Sequence, residues 1–166
     1  YGQGNGWPLS VTSPAMFIFQ TKDVTPHAYA SNVANIIYAP GAAVNKVNAD
    51  LKIPNDWVID GIEVFSAAYI AKNAKRLPAE IDGGSVLLTN QLGHTLYRNV
   101  DKEETEKLPE NQGKLVYGYT MGVSTGDPSG IDAEASIKNG AHIIYMDTNN
   151  STNDFHERKA FSIKGK

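Results

Sequence analysis

Residues 56–65 read Asp-Trp-Val-Ile-Asp-Gly-Ile-Glu-Val-Phe and give the strongest strand signal in the chain. Aromatic and β-branched residues in such a run fit the half-buried surface of a sheet. The Asp60-Gly61 pair indicates a β-bulge within the strand, because the run stays apolar on both sides of the pair. A hairpin turn at the same two residues is the alternative.

Short runs with strand character lie on both sides of this segment, separated by turn-forming residues. They occupy residues 15–20, 33–38, 85–89, 94–100, 115–121 and 141–146. The runs 85–89 and 94–100 follow each other closely, which predicts a hairpin or two neighbouring strands. Helix formers fill residues 67–77 and stop at Pro78, so one short helix or turn is expected there.

The composition agrees with many short strands. A length of 166 residues is typical of one domain, so residues 1–166 are predicted to form a single domain. The 15 Gly and 8 Pro favour turns over a helical bundle. The sequence therefore predicts an all-β or β-rich fold, a β-sandwich or barrel with one or two short helices and long loops at 39–54 and 101–112.

Charge and residue content exclude several functional classes. Lys and Arg number 15 against 18 Asp and Glu, a net charge of -3, so the chain lacks the strongly basic character that nucleic-acid binding requires. The absence of Cys removes disulfides and thiolate metal sites. No apolar run is long enough to cross a bilayer as a helix.

The tail at 147–155, Asp-Thr-Asn-Asn-Ser-Thr-Asn-Asp-Phe, resembles the closing segment of bacterial lamin-tail-like domains. Other segments occur in the order found in a family of Bacteroidetes surface lipoproteins that contain such a domain. These segments are Pro8-Leu9, 16–19 with His27, 57–64, 75–78 with 81–84, and Tyr97-Arg98. The resemblance extends over nearly the whole chain, with a departure at 10–14, where the family has a Pro-Gly turn.

The resemblance implies an immunoglobulin-like or lamin-tail-like β-sandwich whose opening strand would precede Tyr1. The chain would then be the C-terminal part of a longer precursor. Because a sandwich without its first strand exposes an unpaired edge, the resemblance implies a partner, either the missing N-terminal segment or another protein chain. It also implies a lipid-anchored precursor at the outer-membrane surface or in the periplasm. Accessory proteins of TonB-dependent receptors, which capture iron complexes, glycans or peptides, are the implied functional class.

Oxygen-bearing side chains alternate in the tail, at Asp147, Asn149, Ser151 and Asn153. This spacing is typical of the opening of an EF-hand calcium loop. The loop lacks the glycine expected at its sixth position and the glutamate expected at its twelfth. Calcium binding is therefore one hypothesis for these four residues, and backbone capping in Asx turns is the alternative.

Three acidic residues near the central strand, Asp60, Glu63 and Asp82, are candidates for an enzyme site. Paired carboxylates can serve as acid and base, and one of the four histidines could complete such a site. A secreted hydrolase or metal-dependent enzyme is therefore a rival interpretation. It requires two of these carboxylates to be buried together beside a histidine in one pocket.

Exposed aromatic residues suggest a different role, because amphipathic rings commonly anchor ligands. Trp7 in the N-terminal loop, together with Tyr97 and Arg98, is the candidate ligand-binding set. Together with the resemblance, these residues favour a non-enzymatic cell-surface binding or accessory module that needs no cofactor. A purely structural or adhesive module is the third interpretation, and it would show an apolar or aromatic surface patch.

Overall fold

The computed structural model describes residues 15–45, 48–72, 74–88, 94–118 and 126–159. Within them lie seven short strands: β1 (Ala15–Phe19), β2 (Ile36–Tyr38), β3 (Ala49–Leu51), β4 (Val58–Ser66), β5 (Val86–Leu88), β6 (Thr95–Arg98) and β7 (Phe155–Arg158). The α-helices are α1 (Pro26–Ser31), α2 (Lys102–Lys107), α3 (Ala133–Lys138) and α4 (Ser151–Asp154). Single 3-10 segments occupy Val33–Asn35, Asn55–Trp57, Ala67–Lys72 and Pro109–Asn111.

The strands form three small sheets rather than one large one. The first has the order β1-β4-β5, with β1 antiparallel and β5 parallel to the long central strand β4. Two antiparallel ribbons, β2-β3 and β6-β7, complete the set in the described residues. The β-rich fold is confirmed, and the immunoglobulin-like sandwich arrangement stays a prediction.

The bulge predicted inside β4 lies next to its expected position. Ile18 pairs with Asp60 and Phe19 pairs with Val58, so Ile59 is the extra residue on β4. Gly61 itself is in regular register, opposite Phe17. A hypothetical Cβ at Gly61 would meet Leu77, which explains why glycine occupies this point of the strand.

The prediction that 85–89 and 94–100 form a hairpin or two neighbouring strands is wrong in the part of the chain that the structure describes. β5 instead extends the β4 sheet in parallel, and β6 pairs with β7 from the far end of the chain. A parallel neighbour requires a crossover connection, which here includes the 3-10 segment Ala67–Lys72 in the place of the predicted helix.

Several predicted loops and strands also differ. Residues 101–112 form α2 and a 3-10 turn, because Asp101 caps the helix by accepting a hydrogen bond from the backbone N–H of Glu104. The loop at 39–54 contains β3. In place of the last two predicted strands, the described residues contain single bridges, Tyr117 to Ile131 and Val100 to Tyr145.

Few apolar side chains are buried among the described residues, and they lie in separate places. Val100, Ile131 and Ala133 form one buried cluster. Trp57 is buried against Tyr29, with ring centroids 4.5 Å apart. Many of the other buried side chains are polar or charged, so hydrogen-bonded networks carry much of the internal contact.

Candidate functional site

The β6-β7 ribbon has two faces with different chemistry. Tyr97 lies opposite His156, and Arg98 lies opposite Phe155. Because successive side chains of a strand point to opposite faces, Tyr97 and Arg98 project in opposite directions. The two predicted ligand-binding residues therefore belong to different surroundings.

The Tyr97 face contains a stacked and hydrogen-bonded group. The guanidinium of Arg158 lies 3.7 Å from the centroid of the Tyr97 ring, a cation–π contact. Arg158 Nη1 lies 3.1 Å from Oε1 of Glu134, and its Nε donates a hydrogen bond of 2.9 Å to Nε2 of His156. Only 3% of Arg158 is exposed, so these contacts hold the guanidinium in one position.

His156 adopts one tautomer in this network. Since Nε2 accepts from Arg158, the proton lies on Nδ1, which donates to Oδ1 of Asn99 at 2.7 Å. Burial lowers the pKa of His156, and the Arg158 charge lowers it further, against opposing effects of Asp127 and Glu134. The imidazole is therefore neutral at pH 7 and serves to orient Arg158.

A cleft with a volume of about 270 Å³ opens beside this group. Its walls include Leu96, Tyr97, Ala133, Glu134, Tyr145 and Arg158. Tyr145 is 44% exposed, so its ring is accessible from solvent. Partial burial raises the pKa of Tyr145, with Glu134 and Asp127 adding to the effect, and the phenol stays protonated at neutral pH. The cleft thus offers aromatic rings together with a paired guanidinium and carboxylate.

Arg98 also lines this cleft, but its charged group lies on the other face of the ribbon. There it forms an ion pair with Asp60, donates to the Met146 carbonyl at 2.7 Å and stacks over Phe155 at 4.7 Å. Burial raises the pKa of Asp60, and the Arg98 charge opposes this shift. Arg98 therefore connects the ribbon to β4, and Arg158 is the guanidinium that shares a face with Tyr97.

Trp7, the third residue predicted to bind a ligand, lies outside the described residues.

The three carboxylates considered for an enzyme site fall into two places. Glu63 and Asp82 are fully buried and both contact Lys75, whose Nζ is 3.4 Å from Asp82 and forms an ion pair with Glu63. Asp60 is separate, paired with Arg98. The oxygens of Asp82 accept from the backbone N–H groups of Glu63, Gly84 and Ser151 and from the Ser151 hydroxyl, so this carboxylate already has four donors.

The tail residues considered for calcium form a turn followed by α4. The Asn150 side chain caps α4 by accepting from the backbone N–H of Thr152, and the Ser151 hydroxyl is directed to Asp82. Asn149 has a positive φ of 52°, consistent with an Asx-type turn. The described part of the chain contains no group of three or more His, Asp or Glu side chains suited to a metal ion. Calcium binding by Asp147, Asn149, Ser151 and Asn153 stays a prediction.

The fold and cleft together define a small β-rich protein with an open, aromatic-lined cleft. A family model described as "Protein of unknown function (DUF4876)" matches residues 1–162, and the chain belongs to this family. It is similar to the crystal structure of a DUF4876 family protein from Bacteroides thetaiotaomicron, with a TM-score of 0.53 and 21% identity. The match covers 89% of this chain and 31% of that one, so this chain spans less than a third of the length of that protein. A search of curated proteins gave no match.

Proposed function

We propose that this chain is a non-enzymatic binding module that holds one neutral sugar residue of a glycan in the cleft beside Tyr97. The observation that carries the proposal is the Arg158 guanidinium, which is buried, oriented by His156 and stacked on Tyr97 at the cleft wall. Preorganised polar groups beside an aromatic surface favour ligands with both an apolar face and directional hydroxyl groups. A sugar ring has both.

The charges of the cleft favour a neutral ligand. Arg158 is paired with Glu134, and Arg98 is paired with Asp60, so the walls carry no large excess of either sign. An anionic iron complex would gain little from such a site, because each guanidinium already has a carboxylate partner. The volume of about 270 Å³ is below the range of about 300 to 1,000 Å³ for drug-sized ligands, which suits a single ring better than a long peptide.

The acidic residues support binding over hydrolysis. Glycoside hydrolysis generally uses two carboxylates that flank the scissile bond. Among the described residues that line the cleft, Glu134 is the one acid, and it forms an ion pair with Arg158. Glu63 and Asp82 are engaged by Lys75 and by backbone N–H groups, which favours a structural role for them. A hydrolase built on these residues is therefore the weaker interpretation.

The test is an NMR titration of the full 166-residue chain with glucose, galactose, mannose and N-acetylglucosamine. We expect at least one sugar to cause saturable shifts of backbone amides at Tyr97, Ala133 and Tyr145. Replacing Tyr145 with alanine should weaken the binding about tenfold, a loss of ~1.4 kcal/mol. Tyr117→Ala is the matched control, because Tyr117 is also an exposed tyrosine but lies outside this cleft.

The absence of saturable shifts with all four sugars would overturn the proposed ligand. Equal loss of binding in the Tyr145 and Tyr117 variants would overturn the proposed position of the site. Slow conversion of an added disaccharide into its monosaccharides would favour the hydrolase instead.

The resemblance to Bacteroidetes surface lipoproteins also bears on the location of the chain in the cell. We propose that the chain is a lamin-tail-like sandwich at the outer-membrane surface, lipid-anchored in its precursor, and that it is an accessory of a TonB-dependent receptor. The support is the resemblance itself and a relative from Bacteroides. No helix in the described ranges is long and apolar enough to cross a membrane. Protease treatment of intact cells should degrade the protein, and its survival until lysis would contradict the surface location.

A further inference from the structure

Lys75 and the two buried carboxylates Glu63 and Asp82 form a cluster that the proposed sugar cleft does not use. Both acids are completely buried, with 0% of each residue exposed. The Lys75 ammonium group forms an ion pair with Oε2 of Glu63, and its Nζ lies 3.4 Å from Oδ2 of Asp82. One amine therefore faces two carboxylates that are shielded from water, an arrangement in which the groups can react with each other.

The two carboxylates differ in how their oxygens are used. Each oxygen of Asp82 accepts two hydrogen bonds, from surrounding backbone N–H groups and the Ser151 hydroxyl. Oε1 of Glu63 accepts from the backbone N–H of Arg76 at 2.6 Å, whereas Oε2 accepts no hydrogen bond from the described residues and contacts the Lys75 amine. Glu63 can therefore lose Oε2 without leaving a buried donor unsatisfied, but Asp82 cannot lose either of its oxygens.

We propose that Lys75 and Glu63 condense into an intramolecular amide bond between Nζ and Cδ, with Asp82 as the base. Lysine amines act as nucleophiles in proteins, and a carbonyl oxygen that accepts an N–H hydrogen bond is activated for attack. The fold holds the two reacting groups in contact, which lowers the barrier to their condensation. Every group that takes part belongs to this chain, and the step needs no oxidant, reductant or cofactor.

The atoms and charges of the step balance. A proton first passes from Nζ of Lys75 to Oε2 of Glu63, giving a neutral amine and a neutral acid, which burial favours over ions. Nζ then attacks Cδ, Asp82 accepts a proton from the nitrogen, and the Arg76 N–H stabilises the negative charge on Oε1. As the C=O bond to Oε1 re-forms, the bond to Oε2 breaks, Asp82 returns its proton, and Oε2 leaves as water. One ammonium and one carboxylate thus become one amide and one water molecule.

The surroundings of the cluster suit this product. The Lys75 side chain is 36% exposed, which gives the released water a route to solvent. Asp82 keeps its four hydrogen-bond donors after the ammonium charge is lost, so no buried charge is left without partners. The amide would close a loop over residues 63–75 and tie β4 to the end of its crossover, which includes the 3-10 segment Ala67–Lys72.

The first experiment is the intact mass of the full chain, measured under denaturing conditions after prolonged storage of the folded protein at neutral pH. We expect the chain to be lighter than its sequence by one water molecule. Lys75→Arg should keep its full sequence mass, because a guanidinium retains the charge but stays protonated and cannot attack. Lys22→Arg is the matched control: Lys22 pairs with exposed Asp56, and this variant should lose water as the wild type does.

The second experiment maps the bond in the wild type and needs no variant. Trypsin should release residues 53–72 joined to residues 73–76, because the linked Lys75 is no longer a cleavage site. Asp-Gly pairs can also lose water by closing to imides, so Asp60-Gly61 and Asp82-Gly83 are the alternative sources of a mass loss. Full sequence mass in the wild type, water loss at an imide, or a link from Lys75 to Asp82 would overturn the proposal.

Discussion

The Asp82 carboxylate accepts hydrogen bonds from both the backbone N–H (2.8 Å) and the hydroxyl (2.9 Å) of Ser151, a residue 69 positions further along the chain. The same carboxylate accepts from the backbone N–H of Glu63 in β4. Asp82 thereby connects the central strand to α4, which leads directly into β7 and the cleft. A side chain outside the cleft therefore helps to fix the position of the strand that carries Arg158.

We expect Asp82→Asn to destabilise the fold by about 2 kcal/mol or more, because buried hydrogen bonds to a charged acceptor are each worth about 1.5 to 3 kcal/mol. The amide retains one oxygen but cannot accept at both positions. Urea unfolding measures the effect. Asp56→Asn is the control, since Asp56 is exposed and pairs with exposed Lys22, and it should change the free energy of unfolding by less than about 0.5 kcal/mol.

Acid should also weaken the fold through Asp82. Burial acts to raise the pKa of this carboxyl, but the hydrogen bonds from Ser151 and Gly84 and the charge of Lys75 outweigh it and lower the pKa below the ordinary value. A lowered folded-state pKa gives stability that is present above the unfolded pKa, about 3.9, and is lost as the pH falls below it. Unfolding midpoints measured between pH 5 and 2 should fall steeply in the wild type and less in Asp82→Asn.

A second pH effect should arise from His156 at milder acidity. Its pKa is lowered in the folded protein, so the unfolded chain binds a proton first as the pH falls through about 6.5. Stability should therefore decline below pH 6.5, because the charged ring cannot accept the hydrogen bond from Arg158. His156→Gln should remove this part of the pH dependence. His27→Gln, a change at an exposed position in α1, should leave it intact.

A side chain at Gly61 should destabilise the fold. A Cβ there would lie 2.7 Å from Leu77 Cδ1 and 2.9 Å from Ile81 Cγ2, closer than packed carbon atoms approach. We expect Gly61→Ala to cost about 1 to 3 kcal/mol in the free energy of unfolding. Gly83→Ala is the matched control, because the nearest atom would be 3.5 Å away. Comparable losses in both variants would contradict the close packing of β4 on 77–81.

Arg158→Lys should impair both the fold and the cleft. Lysine keeps the charge, but it lacks the planar group that stacks on Tyr97 and the Nε donor that reaches His156. We expect a loss of about 1 to 3 kcal/mol in stability and weaker sugar binding in the same titration. Arg76→Lys, at an exposed arginine, should affect neither measurement. Unchanged stability in Arg158→Lys would show that the stacking contributes little.

Local sequence predicts where the strands lie better than it predicts which strands pair with each other. β1, β2, β5 and β6 lie within predicted runs, and β4 extends one residue beyond its run, because apolar and β-branched residues mark half-buried strands wherever they pair. Pairing depends on contacts between distant parts of the chain. The parallel partner of β4 and the late partner of β6 leave no local signal, and the shorter connection between 85–89 and 94–100 therefore suggested a hairpin that does not form.

The residues of the cleft can be predicted from the sequence only in part, for the same reason. The sequence makes Tyr97 a candidate, whereas Arg158 occupies the twelfth position of the calcium loop considered in the tail, where a glutamate is expected. A signal was available in the alternation of Phe155, His156, Glu157 and Arg158, which is compatible with a short strand. The stacking of Arg158 on Tyr97 depends on the pairing of β6 with β7. The spacing of residues within the tail does not reveal this pairing.

β7, the partner of β6, is synthesised late, so the β6-β7 ribbon can form only after residues 155–158 have been made. His94 meets Glu157, 63 residues further on, and β7 supplies Arg158 to the cleft. Contacts between such distant residues slow folding, because a long loop must close before they form. Tyr97 therefore emerges from the ribosome well before its partner strand exists. The proposed binding cleft therefore cannot be complete until β7 has been synthesised, and a chain that ends before residue 155 would lack the Arg158 wall of the cleft.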